Sequence, residues 1–124
     1  MISKGLLIAV LLFALVVGTV ALDTLLCVRA IDGLLEALSH IPAEDPATAA
    51  DAAEHFRTEW EARRVLLVLS LPRAHAADVE AELSDLTGAI LAEDTANIRM
   101  ALSNMEEILS HMRRTALPSL AYVL

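Results

Sequence analysis

Cysteine is almost missing from this chain: Cys27 stands alone. A single thiol makes no internal disulfide and no cysteine framework for a metal, so order has to come from packing. Aromatic side chains are scarce as well, limited to Phe13, Phe56, Trp60 and Tyr122. Glycine and proline number only four each, too few to punctuate a chain of many short strands and turns. The single β-branched-rich run, Val65 to Leu69, lies inside a helical pattern. Positive charge is also in short supply. Residues 23–124 hold all 17 acidic side chains and eight of the nine basic ones, which leaves that part at −9. With no basic stretch interleaved with aromatics, nucleic acid is excluded as a partner, and such a domain is expected to be repelled by an anionic surface. The chain contains no HExxH, no phosphate-cradling glycine loop, no nucleophile elbow and no Ser-His-Asp order. This argues against an enzyme, and no catalytic, cofactor-binding or metal-binding residues are assigned.

What is present is one long apolar run. Gly5 to Leu22, GLLIAVLLFALVVGTVAL, carries no charge and departs from the apolar set only at Gly5, Gly18 and Thr19. As a helix these residues span roughly 27 Å, close to the ~30 Å hydrocarbon core of a bilayer. Residues 1–22 therefore read as a transmembrane anchor in contact with lipid through residues 5–22, and residues 23–124 as one helical domain. A signal peptide is the competing reading, with Thr19-Val20-Ala21 before a cut at Leu22. Against cleavage, the run exceeds the usual signal length and helical patterning continues beyond the site. Leu26, where a small residue would be needed before Cys27, excludes lipoprotein processing. Lys4 and the terminal amine flank one end and Asp23 the other, so the positive-inside rule puts the N-terminus in the cytoplasm and residues 23–124 outside.

After the anchor the pattern predicts more helices. Leu25, Leu26, Ile31, Leu34, Leu35, Leu38 and Ile41 form one stripe before Pro42, with Gly33 the only soft point. Asp45 is a good N-cap and Pro46 a good first helical residue for a second helix reaching about Ser70. That helix carries Ala49, Ala53, Phe56, Trp60 and Leu67 on one face, and its apolar end, Val65 to Leu69, is expected to be buried from several sides. Leu71-Pro72 breaks the pattern. A third helix carries Val79, Leu83, Leu86 and Ile90. Asp94 caps a fourth with Ile98, Leu102, Met105, Leu109 and Met112, closed by Arg113 and Arg114 in its last turn and ended by Pro118. An apolar tail, 120–124, follows. The expected fold is all-α: a transmembrane helix, then a bundle of about four helices.

Within the bundle an echo appears. Ala43-Glu44-Asp45 recurs as Ala92-Glu93-Asp94, forty-nine positions on. At the same offset Leu34 matches Leu83, Ile41 matches Ile90, Phe56 falls on Met105 and Trp60 on Leu109. Two αα-hairpins burying a shared core would give this; so would any two capped helices in an Ala- and Glu-rich chain. Phe56 and Trp60 are the candidate anchors, either of the core or of an interaction surface. Glu36/His40, Asp51/His55 and Glu107/His111 sit at four-residue spacing on helical faces, but a metal needs three or four such ligands to converge. Ordinary solvated pairs are the plainer reading, and His75 beside the Leu-Pro break reads as a turn or capping residue.

The apolar N-terminus, the Trp60 helix, the His75 break, the run Val79…Leu83…Leu86…Ile90…Asp94 and the final Leu-Pro-Ser-Leu-Ala-Tyr-Val-Leu resemble one bacterial family. It is the domain-of-unknown-function family numbered 4363, small proteins found chiefly in Gram-positive bacteria. The likeness covers nearly the whole chain and departs from it at Leu71-Pro72-Arg73 and in the alanine-rich second helix. It implies an anchored helical domain at the cell surface and no catalytic residues. Together these features lead to an expected membrane-tethered interaction or structural module, with a protein partner or self-association. Alternatives are an extracytoplasmic sensor or ligand-binding bundle, which needs polar groups such as Arg99 or His55 pointing inward, and a secreted helical domain if the N-terminus is cleaved.

Overall fold

A computed structural model of the chain describes the backbone of residues 3–123 and the side chains of residues 3–117. Four helices account for nearly all of it: α1 (Lys4–Ser39), α2 (Pro46–Ser70), α3 (Arg73–Leu91) and α4 (Thr95–Val123). No strand occurs among the described residues. The apolar run and the first bundle helix are one unbroken helix of 36 residues. Its start is capped by Ser3, whose hydroxyl accepts from the Leu6 N–H at 3.1 Å, satisfying one of the orphan donors of the first turn.

Each helix packs on its neighbours in sequence, and α1 also packs on α4, closing a square. Short turns make every adjacent pair antiparallel. The pairing is fixed at several heights by polar contacts on the rim. Ser70 donates its hydroxyl to Asp23 at 2.9 Å, tying the end of α2 to α1. Arg64 pairs with Glu80, and Arg57 donates to Thr87 at 3.2 Å, setting α2 against α3. Arg113 donates to Asp32 at 2.8 Å between α4 and α1, and Arg99 reaches Glu44 at the far end. Gly33 is less a soft point than a gap filled by a neighbour: a Cβ there would stand 3.1 Å from an Arg63 Nη, so its absence lets that guanidinium lie across α1.

Inside the square the core is apolar. Ile31, Leu34, Phe56, Trp60, Leu67, Val79, Leu86, Ile98, Met105, Leu109 and Met112 are almost wholly buried, and Thr24 is the one buried polar residue among those described. Removing each large side chain from water stabilises the fold by roughly 1.5–3 kcal/mol before chain entropy is set against it. The echo is visible in three dimensions. Positions paired at the forty-nine-residue offset share their burial: Leu34 with Leu83, Ile41 with Ile90, Phe56 with Met105, Trp60 with Leu109. Asp45 and Asp94 do the same work at the start of α2 and α4, accepting the N–H of Thr48 at 3.4 Å and of Asn97 at 3.2 Å.

Three local expectations are overturned. Val65 to Leu69 is not buried all round: Leu67 is 1% exposed, but Val65 is 66% and Leu69 81% exposed. A helix in a square has only two neighbours, so its outer side stays uncovered whatever its composition. Pro118 does not end α4, which runs to Val123. Proline forfeits its own N–H bond to the Arg114 carbonyl and its ring crowds that carbonyl, but the residues after it still supply donors and the helix continues. Arg113, Arg114 and His111 are in consequence not in the last turn of that helix. Of the apolar tail expected at 120–124, Leu124 and all the side chains lie outside the described residues.

Candidate membrane-facing surface

The first half of α1 buries none of its side chains. Its 18-residue window of highest mean hydropathy, 2.8, is 0% buried, and Leu6, Leu7, Ile8, Leu11, Phe13 and Leu15 are each at least half exposed. A Cβ added at Gly5 or Gly18 would meet no atom within 4 Å. The polar atom in this stretch is satisfied within the helix, Thr19 donating its hydroxyl to the Leu15 carbonyl at 2.8 Å, as a hydrocarbon surrounding demands. The apolar outer surface does not stop at Leu22. Beyond the exposed Asp23, Leu25 and Leu26 are 49% and 44% exposed, and Arg29, Asp32 and Glu36 follow on the exposed side.

The turn between α2 and α3 stands at this same height. Ser70 is bonded to Asp23, which sets its neighbour Leu69 level with Leu22 to Leu26. Pro72 and Arg73 follow, both exposed, and α3 begins there without a side-chain cap. Charge is sorted along the bundle by this topology. Arg29, Arg63, Arg64, Arg73, Arg113 and Arg114 all fall in the half next to the apolar run, whereas only Arg57 and Arg99 among the bundle arginines fall in the far half. Asp23, Glu59, Glu61, Asp78, Glu80 and Glu82 offset those arginines in the near half, and the excess of acid lies in the far half, with Glu44, Asp45 and Asp51 at one turn and Asp85, Glu93 and Asp94 at the other. The near half is therefore about neutral and the negative charge of the domain is concentrated in the far half.

The remaining sequence candidates are placed as follows. Phe56 and Trp60, at 0% and 2% exposure, are core residues of α2 rather than surface anchors. The Trp60 indole N–H finds no acceptor among the described residues. Cys27 is buried in the seam beside Ser70 and Asp23. Burial pushes its thiol above the ordinary value, the Ser70 bond opposes this and the Asp23 charge adds to it. His55 and Arg99 are exposed, and Arg99 is engaged by Glu44, so neither supplies the inward polar group a sensor bundle requires. Glu36, His40, His55 and Glu59 line one open groove of about 270 Å³ between α1 and α2. Even so, no three metal-ligating side chains come together among the described residues. The structure does join His75 to His111, their rings edge-on with centroids 5.2 Å apart. Sequence spacing held no signal for this pair, since it depends on how α3 meets α4.

Fold and surface define a class: an all-α bundle continuous with one apolar helix long enough to cross a bilayer. No family model, curated protein or solved structure matches the chain.

Proposed function

We propose that this chain is a membrane-anchored, non-enzymatic helical protein, acting as an interaction or structural module at a bacterial cell surface. Residues 5–22 span the bilayer and residues 23–124 form the extracytoplasmic domain. One observation carries the reading: the most apolar window of α1 is wholly unburied, while the same helix, without a break, supplies Ile31, Leu34 and Leu38 to the core. An apolar helix left bare in water would be an aggregation site; in lipid it is at its free-energy minimum. Retention rather than cleavage is supported by the continuity of α1 across Ala21-Leu22. An apolar core and exposed polar groups support action through surfaces rather than through an enclosed pocket. The kinship with family 4363 is part of the proposal and rests on the spaced residues quoted above.

Alkaline carbonate extraction followed by intact-mass measurement tests the anchor. The full-length chain should stay with the membrane pellet, and a soluble species beginning at Leu22 would overturn the reading. The interaction role is tested by cross-linking in native membranes before detergent solubilisation. A discrete cross-linked species containing a partner or a second copy is expected; a chain recovered only as an uncross-linked monomer would refute that role.

A further inference from the structure

We propose that the bundle is seated on the bilayer it is anchored in, with the α2–α3 turn as a second point of membrane contact beside α1. Leu69 enters the boundary between headgroups and acyl chains, and Arg73 meets lipid phosphate. The inference rests on the membrane-anchor reading and deepens it.

The geometry is constrained by rigidity. Because α1 is one helix from the span into the core, the bundle does not hang on a flexible tether and its near end is held at a fixed height. The Ser70–Asp23 bond fixes the turn at that height, one residue past the end of the apolar run. What the turn presents there suits an interface. Leu69 is 81% exposed and Val65 66%, both on the outer side of α2, with Leu69 at the level of the exposed Leu22, Leu25 and Leu26 of α1. Solvent water is the costly neighbour for such a group, and the acyl boundary, about 5–10 Å deep, is the favourable one.

Charge argues for the same occupant. Arg29 and Arg73 lie towards this end with no salt bridge among the described residues, so their guanidinium groups are free for phosphate. Long arginine stems also let the charge reach headgroups while the apolar part stays against the lipid. The acidic far end is held away from an anionic surface by the length of the helices. A second copy of the chain would be a poorer occupant, because the same arginines on each copy would face one another.

A paired-label experiment on the full-length chain decides it. In a Cys27→Ala background, Leu69→Cys and, separately, Leu91→Cys are labelled with an environment-sensitive fluorophore and reconstituted into phosphatidylcholine–phosphatidylglycerol vesicles. The two native leucines are equally exposed, at 81% and 82%, but lie at opposite ends of the bundle. The Leu69 label should emit to the blue and lose about half its intensity or more with brominated acyl chains, while the Leu91 label stays water-like. A Leu69 label indistinguishable from the Leu91 label, on protein that floats with the vesicles, overturns the seating and leaves the anchor standing. Protein that fails to float sinks the anchor and the seating with it. A blue shift without quenching by brominated lipid means protein covers Leu69, which also overturns the proposal. Circular dichroism checks the folding of the Cys27→Ala chain. Trp60→Phe combined with Leu69→Trp repeats the quenching without touching Cys27.

Discussion

Trp60 shows how much one residue decides here. It is the only tryptophan, it is almost completely buried, and its echo partner Leu109 is buried too. Trp60→Ala should cost about 3–5 kcal/mol through lost transfer energy and the cavity left behind. A small domain holds only about 5–15 kcal/mol in all, so denaturant melts should show a partly unfolded mutant. Trp60→Phe should be milder, because it removes an indole N–H that has no protein acceptor together with the volume. Tryptophan emission of the wild-type chain should be blue and weakly quenched by iodide; a water-like spectrum would contradict the core placement. Glu93 argues the other way, towards a gain. It is a non-glycine residue with positive φ, 54°, at the position after the α3 C-cap. There the Glu93 N–H reaches the Ile90 carbonyl at 3.1 Å and the Asp94 N–H the Ala89 carbonyl at 3.0 Å. This is a Schellman ending, which glycine adopts without a Cβ penalty. Glu93→Gly should raise stability by about 0.5–1 kcal/mol in thermal melts, and a loss would show that the acidic side chain is needed at the far end.

At the scale of elements, the helix starts are the most chemically specified parts of the chain. Asp45 precedes Pro46 and accepts from both the hydroxyl and the N–H of Thr48. Those bonds, the hydroxyl first, hold its carboxyl below the usual carboxylate range. A carboxyl whose folded pKa is depressed contributes stability that is complete above its unfolded pKa and lost as pH falls through the folded one. Melting temperature should therefore be flat near neutrality and fall on acidification below about pH 4. Asp45→Asn, which keeps an acceptor for the cap, should flatten part of that fall; an unchanged acid limb would remove Asp45 as a cause. Glu44, lowered chiefly by its bond to Arg99, acts with the same sign. Helix ends were less legible than helix starts. Caps are local hydrogen bonds written in adjacent residues, whereas Pro118 offered a local stop that the backbone runs through.

For the whole molecule the open quantity is orientation. Lys4 on one flank against Asp23 on the other predicts residues 23–124 outside the cytoplasm. A phosphatase fused after Leu124 should be active, and a C-terminal reporter working only in the cytoplasm would reverse the assignment. Of the arginines gathered at the near end of the bundle, only Arg29 is close enough in sequence to enter that count. Apart from Arg29 they lie far along the sequence and come to the near end only once the helices have folded back.

This last point separates what the sequence determined from what tertiary structure decided. Helix content, the long apolar helix, the caps at Asp45 and Asp94 and the buried stripe through Phe56, Trp60, Met105 and Leu109 were all written locally. Periodicity and adjacent hydrogen bonds depend on residues a few positions apart. The exposure of Leu69, the Ser70–Asp23 tie, the His75–His111 contact and the sorting of charge along the axis were not, because each depends on which helix stands beside which and at what height. Composition gave an acidic domain; antiparallel packing of four helices gathered most of its arginines in the half next to the apolar run and left the excess of acid in the far half, since alternate chain reversals bring distant residues to the same level.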